Sequence, residues 1–248
     1  MSRADELLFL RGLVESRTKA RALIEEGKVF VDGKLIDKPS RKLPDDANIS
    51  IADNCASTRF VSRAGLKLEA FLDAFNIDLT NAHILDAGAS TGGFTDCALS
   101  RGATLAYCVD VGIGQLHKKL LDDLRVKNFE KTDIRDVSPA FLEHPPFDFI
   151  CADLSFISLE KVFGILWNCL KINGEIVCLV KPQFETDPAI KRRNKGVIRD
   201  DSTRTQALDK IKNFISENFS TAKFIGEIQS PIKGGDGNIE YLIGYKKI

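Results

Sequence analysis

The stretch Ile84-Leu85-Asp86-Ala87-Gly88-Ala89-Ser90-Thr91-Gly92-Gly93-Phe94-Thr95-Asp96 decides the fold. An apolar run ends in Asp86, small residues make a turn, and a helix-like segment follows. Glycines at 88, 92 and 93 let backbone amides approach a ligand where a Cβ would collide. A strand turning into a helix N-terminus is the usual seat of a nucleotide-derived ligand in an open α/β sheet. The phosphate-binding spacings G-x-G-x-x-G and G-x-x-x-x-G-K-[ST] are both missed: Ala89 follows Gly88, and no lysine follows Gly92-Gly93. An acid ahead of the first glycine suits a ligand with a cationic amine and no phosphate, such as S-adenosylmethionine. Alone, the stretch also fits an ordinary strand-to-helix turn, where Gly and Asp are common.

Outward from this turn the chain alternates strand and helix. Strands are expected at 83–86, 104–109, 126–129, 147–152 and 175–180, with helical stretches at 95–100, 115–122, 159–170 and 203–218. Two more β-prone segments, 223–228 and 241–245, finish the chain. Such alternation argues for an α/β fold with a parallel sheet covered on both faces. Ligands bind beyond the carboxyl ends of such strands, where Asp86, Asp110, Asp133, Asp153 and Lys181 fall. Asp110, after Leu105-Ala106-Tyr107-Cys108-Val109, is placed to accept ribose hydroxyls. Asp133 either meets an adenine amine or caps the next turn. The acids, without a phosphate-binding lysine, point to S-adenosylmethionine; an NAD dehydrogenase would normally want the missing glycine spacing.

The 248 residues can hold one large domain or a small one plus a medium one. Hydrophobic residues at 44% and charged ones at 28% are ordinary for a globular protein. A formal net charge of zero means that any nucleic-acid surface must be local. The six cysteines show no C-x-x-C, and four of them (Cys108, Cys151, Cys169 and Cys178) sit in or beside apolar runs, which favours reduced, buried thiols and a cytoplasmic location. No apolar run approaches a membrane span, and Met1-Ser2-Arg3-Ala4-Asp5 does not begin a signal peptide.

The first fifty residues read as a unit of their own. Leu7, Leu8, Leu10, Leu13 and Val14 give a short helical pattern. Ser16 looks like the N-cap of a second helix that Gly27 closes. Asp32-Gly33, between Lys28-Val29-Phe30-Val31 and Lys34-Leu35-Ile36, is a hairpin signal. Arg17, Lys19, Arg21, Lys28 and Lys34 put cations on the helix and hairpin, either as an RNA surface or as a solvated face among Glu25, Glu26, Asp32 and Asp37. The pattern Ser16-Arg17-x-x-Ala20-x-x-Leu23-Ile24-x-x-Gly27-x-Val29-x-Val31-x-Gly33, then Lys38-Pro39-Ser40, resembles the S4 RNA-binding domain. That resemblance implies a small α+β domain over residues 1–53 that binds RNA. A polar connector, 54–61, leads to a second domain, 62–248. Arg59 and Arg63 are counted with the RNA-facing cations, as are Lys191, Arg192 and Arg193 of a basic loop, helped by Arg199 and Arg204.

The acceptor chemistry narrows by residue type. Methylation of an exocyclic base nitrogen typically uses an acid or amide, two prolines and an aromatic where Asp153-Leu154-Ser155-Phe156 stands. A cytosine C5 enzyme needs a thiolate, and Cys151 lies in an apolar run that disfavours one. A ribose 2′-hydroxyl needs proton removal, for which a partly desolvated lysine flanked by another cation is suited. Lys181 ends a strand and is placed for this, although a lone lysine there is more often solvated. Ser62 can cap a helix in which Lys67 falls among or beside the buried-side residues, and Lys67 either snorkels to water or reaches into a site.

The set Lys67, Asp153, Lys181 and Glu240 resembles the K-D-K-E tetrad of FtsJ-like 2′-O-ribose methyltransferases. More closely, the whole chain resembles the TlyA (haemolysin A-like) family, an S4 domain fused to an FtsJ-like domain. The segments carrying this are Val61-Ser62-Arg63-Ala64-Gly65-Leu66-Lys67-Leu68, the glycine turn, Asp110-Val111-Gly112, Ala152-Asp153-Leu154-Ser155-Phe156-Ile157-Ser158, Lys181-Pro182-Gln183-Phe184-Glu185 and Gly237-Asn238-Ile239-Glu240-Tyr241. Ala64 stands where a glycine is common. The resemblance implies a Rossmann-like, mostly parallel seven-stranded sheet with an antiparallel last strand. It implies S-adenosylmethionine held by Asp86, Gly88, Ser90, Gly92, Gly93, Phe94, Asp110, Asp133 and Asp153. It also implies methyl transfer to a cytidine 2′-hydroxyl of ribosomal RNA, with ribosomal subunits as partners. By analogy Lys181 is the base, Asp153 and Lys67 set its charge state and position the ribose, and Glu240 orients the lysines. The alternatives are an RNA-binding protein with an inactive catalytic domain and a membrane-active haemolysin; no strongly one-sided apolar segment supports the latter.

Overall fold

The computed structural model describes residues 1–14, 16–25, 27–51, 59–143, 146–187, 189, 196–234 and 237–248. Cys55, most of the expected connector, and Lys191, Arg192 and Arg193 lie outside the described residues. By its contacts the chain divides into two units, Met1–Arg63 and Ala64–Ile248.

In the first unit, helices α1 (Ala4–Leu10) and α2 (Arg17–Glu25) pack through Leu7, Leu8, Leu23 and Ile24. Helix α1 ends sooner than the run of leucines suggests. Gly12 is left-handed at φ 67°, and Gly12 N and Leu13 N donate back to Phe9 O and Leu8 O at 2.9 and 3.1 Å. This doubly bonded turn stops the helix. Leu10 and Leu13 consequently remain exposed. The Ser16 hydroxyl accepts from Lys19 N at 3.1 Å, as an N-cap should. Strands β2 (Val29–Val31) and β3 (Lys34–Leu35) form the expected hairpin, with Asp32 and Gly33 at φ 49° and 73°. Both positive values match the turn that follows strand twist. Strand β5 (Ile49–Ile51) pairs with β2, and β1 (Ser2–Arg3) with β4 (Lys42–Leu43).

The second unit is built on seven strands: β6 (His83–Ala87), β7 (Leu105–Val109), β8 (Val126–Phe129), β9 (Phe147–Ala152), β10 (Leu170–Val180), β11 (Ala222–Gln229) and β12 (Tyr241–Lys247). They run in the order β11-β12-β10-β9-β6-β7-β8. Pairing from β10 through β8 is parallel, and β12 is antiparallel to both β10 and β11. This is the mostly parallel α/β sheet that the alternation and the resemblance predict. Strand β10 begins earlier than 175 because Leu170 already pairs with Phe147, with an irregularity before Glu175 resumes the ladder.

One sheet face, including Leu85, Tyr107, Ile150, Ile176 and Ile243, packs on α6 (Phe163–Cys169) and α8 (Asp201–Asn218). Each fully buried side chain there, such as Phe163 or Ile211, contributes about 1.5–3 kcal/mol. The opposite face meets α3 (Ala64–Phe75) and α4 (Gly93–Ser100). A Cβ at Gly244 would lie 2.5 Å from the Phe71 ring, so α3 rests on β12 only because residue 244 has no side chain. The expected helix over 115–122 shrinks to α5 (Lys118–Leu121), since His117 is extended and its Nδ1 caps Lys119 N at 3.1 Å. A short helix α7 (Pro182–Glu185) follows β10 directly. The described cysteines are buried thiols; burial raises the Cys151 thiol well above its ordinary value and leaves it unsuited to nucleophilic attack. No helix among the described residues is long and apolar enough to cross a membrane.

Candidate active site

Strands β6 and β9 are neighbours, yet β6 leads on to β7 and β8 on one side while β9 leads to β10 on the other. A crevice opens at such a switch point. Its floor is the turn after β6. Gly88 is left-handed at φ 82°, and a Cβ there would lie 2.7 Å from the Asp153 carbonyl oxygen, so only glycine closes this turn against β9. Gly92 forms the N-cap of α4, Gly93 begins it, and Phe94 is buried behind.

A cavity of about 190 Å³ lies over the turn, lined by Asp86, Gly88, Ser90, Phe94, Asp153 and Lys181 among others. Asp86 is 1% exposed. Its Oδ2 accepts from Thr95 N at 3.0 Å and Thr95 Oγ1 at 2.7 Å, while Oδ1 has no hydrogen-bond partner among the described residues. Burial pushes this carboxyl up to about 7 against the opposing pull of the Thr95 bonds. An orphaned, buried carboxylate oxygen in a cleft suits a cationic amine, so the residues present fit S-adenosylmethionine.

Alongside lies a cleft of about 530 Å³ that Asp110 and Asp133 line. Asp110 Oδ2 accepts from Ser90 N at 2.8 Å and Oδ1 from Gly112 N at 2.7 Å, which ties the two loops together. Each oxygen keeps a lone pair for a diol. Asp133 does the capping. Its Oδ1 accepts from Arg135 N and Nε at 2.9 and 3.0 Å, its Oδ2 from the guanidinium at 2.6 Å, and Arg135 pulls the carboxyl down to about 2.

Beside the cavity four charged groups meet. Lys181 Nζ, at the end of β10, is 2.5 Å from Asp153 Oδ1 and donates to Ser155 Oγ at 2.9 Å. Lys67 Nζ, from α3, donates to Glu240 Oε2 at 2.7 Å and sits 3.7 Å from Asp153 Oδ2. Lys67 therefore reaches inward and does not snorkel to water. Asp153 lies between two cations, and the two lysines and two carboxylates balance formally. With Lys67, Lys181 and Glu240 at 7, 8 and 3% exposure, removing any one strands a buried charge.

Two supports went unread in the sequence, although both lie in the quoted motifs. Glu185 Oε2 accepts from Ser158 Oγ at 2.5 Å and Oε1 from Leu159 N at 3.0 Å, pinning the loop that begins at Asp153. Asn238 bridges Ile198 N and Gly196 O, both at 2.9 Å, two residues before Glu240. A carboxylate and an amide next to the strand ends were the available signal; their partners are too distant in sequence to infer.

The candidate RNA-facing cations differ in freedom. Arg17 is half exposed and 3.6 Å from Asp5, and Arg21 pairs with Glu25 at 2.9 Å. Lys19 and Lys28 are partly exposed, Arg63 is exposed, and the Arg59 guanidinium lies 5.4 Å from the Phe60 ring centroid. Arg199 is exposed, but Arg204 is not part of a basic surface: it is 8% exposed and donates to Ile198 O at 3.0 Å. Its place on the buried side of α8 overrides its charge.

With this geometry in hand, the FtsJ-like methyltransferase family matches residues 60–247 and the S4 domain family residues 2–49. The chain is 40% identical over 241 residues to hemolysin A of Brachyspira hyodysenteriae, covering 97% of this chain and 98% of that protein. It is 38% identical over 242 residues to the 16S/23S rRNA (cytidine-2′-O)-methyltransferase TlyA of Mycobacterium tuberculosis, covering 98% and 88%. A solved structure of a hemolysin-named protein from Streptococcus thermophilus superposes with a TM-score of 0.77 at 37% identity, covering 99% of this chain and 88% of that one.

Proposed function

The chain belongs to the TlyA (haemolysin A-like) family, an S4 domain joined to an FtsJ-like methyltransferase domain, and on that premise we propose that it methylates a cytidine 2′-hydroxyl of ribosomal RNA. The observation that carries this reading is the pair of buried lysines on either side of Asp153, next to the orphaned Asp86 oxygen. When bound, S-adenosylmethionine supplies an electrophilic methyl group. Asp86 Oδ1 takes its ammonium and Asp110 its ribose hydroxyls. Lys181 accepts the 2′-proton as the oxygen attacks. Asp153 holds Lys181, while Lys67 and Glu240 fix Asp153 from behind. The complete set of charge pairs favours an enzyme over an RNA-binding module with an inactive domain.

Mass spectrometry of ribosomal RNA from cells with and without the protein tests this: 2′-O-methylcytidine is expected only with it. Identical nucleoside profiles would remove the assignment.

Two cofactor predictions accompany it. Asp110→Ala is expected to weaken S-adenosylmethionine binding by about 1–3 kcal/mol, the range for a ligand hydroxyl that loses a charged hydrogen-bond partner. Unchanged calorimetric affinity would take Asp110 out of the site. Asp86 must be ionised to hold a cation, and its carboxyl is pushed up to about 7. Below that value the folded protein holds the proton, so affinity is expected to fall about tenfold per pH unit below pH ~7 and to level off above. Asp86→Asn should bind weakly and lose this slope. A wild-type affinity that is flat on the acid side would argue against the ammonium contact.

A further inference from the structure

Strand register sets two thiols beside the buried carboxylate of the glycine turn. Asp86 on β6 stands level with Cys108 on β7 and with Cys151 on β9. Residues level with one another on adjacent strands point to the same face, so the three side chains form a row. Thr95 of α4 closes on that row. Its Oγ1 lies 2.7 Å from Asp86 Oδ2 and 3.1 Å from Cys108 Sγ. Cys151 Sγ donates elsewhere, to Leu85 O at 3.7 Å.

Counting hydrogens gives these bonds a direction. Asp86 Oδ2 already accepts from Thr95 N at 3.0 Å, while Oδ1 has no partner among the described residues. Oδ2 is therefore the acceptor oxygen in either charge state, and a proton would sit on Oδ1. The single hydroxyl hydrogen of Thr95 goes to Oδ2. Cys108 must then donate to the Thr95 oxygen. It keeps the hydrogen to do so, because burial pushes its thiol up to about 12.

We infer that Cys108 and Thr95 are positioning residues for the cofactor: a relay from the Cys108 thiol through the Thr95 hydroxyl fixes Asp86 with Oδ1 left for the ammonium. The inference rests on the reading of the cleft as an S-adenosylmethionine site. A threonine in a helix has a competing arrangement, in which its hydroxyl bonds a carbonyl one turn back. The thiol on one side and the carboxylate on the other hold the hydroxyl out of it. Oδ2 is thus satisfied within the protein, and Oδ1 stays open in a residue that lines the cavity. Both bonds from Thr95 favour the ionised carboxyl, so losing one lets Asp86 keep its proton to higher pH. The other groups about Asp86 are the Cys151 thiol and the Asp153 carboxylate, which opposes ionisation, and Lys181 lines the same cavity. The test leaves all three in place.

It measures the calorimetric affinity of the full-length protein for S-adenosylmethionine from about pH 5.5 to 8.5. The control ligand is 5′-methylthioadenosine, which keeps the nucleoside and lacks the ammonium. Thr95→Val preserves the shape without the hydroxyl. It is expected to weaken S-adenosylmethionine about tenfold at neutral pH and to move the acid-side loss of affinity up by about one pH unit. Cys108→Ala should weaken binding about two- to fivefold, with a smaller shift in the same direction. Thr95→Ser, which keeps the hydroxyl, should stay within about threefold of wild type. Methylthioadenosine should bind each variant within about twofold of wild type. A Cys108→Ala or Thr95→Val protein with the wild-type affinity and pH profile overturns the inference. So do equal losses for both ligands, which mean a damaged pocket. A wild type that ignores S-adenosylmethionine overturns the underlying reading, and is recognised before any variant is compared.

Discussion

Lys181→Ala is expected to slow the methyl-transfer step by about 10²–10⁴-fold, the range for loss of a general base. Cofactor affinity should change little, because Asp86 and Asp110 stay in place and Asp153 keeps Lys67 as a partner. Lys181→Arg should fare no better. A guanidinium restores the charge beside Asp153 but cannot give up its proton at any accessible pH. If Lys181 only holds the ribose by its charge, arginine retains substantial activity. Single-turnover rates for the three proteins separate these outcomes, and a nearly active arginine variant removes the base assignment.

Removal of residues 1–52 is expected to reduce methylation of ribosomal RNA by on the order of 10²-fold or more while leaving S-adenosylmethionine binding unchanged. The residues lining the cofactor cleft, from Ala64 to Lys181, all belong to the second unit. Phosphate contacts supply most non-specific affinity for RNA, and the deletion takes away Arg17, Lys19, Arg21 and Lys28 together. Some of these charges are already engaged, Arg21 with Glu25 and Arg17 with Asp5, so the loss per residue should be uneven. The full chain should also show the steeper fall of RNA affinity with salt. A truncated protein with full activity on ribosomal RNA would show the S4 domain to be dispensable.

The centre of the sheet was legible because β6, β7, β9 and the end of β10 are nearly continuous apolar runs, the pattern of strands buried on both faces. The Asp32-Gly33 hairpin was legible because few residue pairs tolerate two positive φ angles. What escaped were decisions made by neighbours. Helix α5 lost its first turn to a histidine cap, and β10 gained its first residues from pairing with Phe147. Asp133 met an arginine two residues away, which its spacing left open. Lys67 and Lys181 stood out through the resemblance to a tetrad, whereas Ser155 and Glu185 carry no distinctive spacing. Their partners are set by the loop from Asp153 to Leu159, which only the fold brings against β10 and α7.

Lys67 and Glu240 are 173 residues apart, and the carboxylate sits immediately before the last strand. That strand is inserted between β10 and β11, and among the described residues β11 pairs with no other strand. The residues that line the crevice, from Ala64 to Lys181, and the carboxylate that completes the lysine cluster are therefore carried by separate parts of the sheet. A cut before Glu240 would remove the buried partner of Lys67 and leave the cluster one carboxylate short.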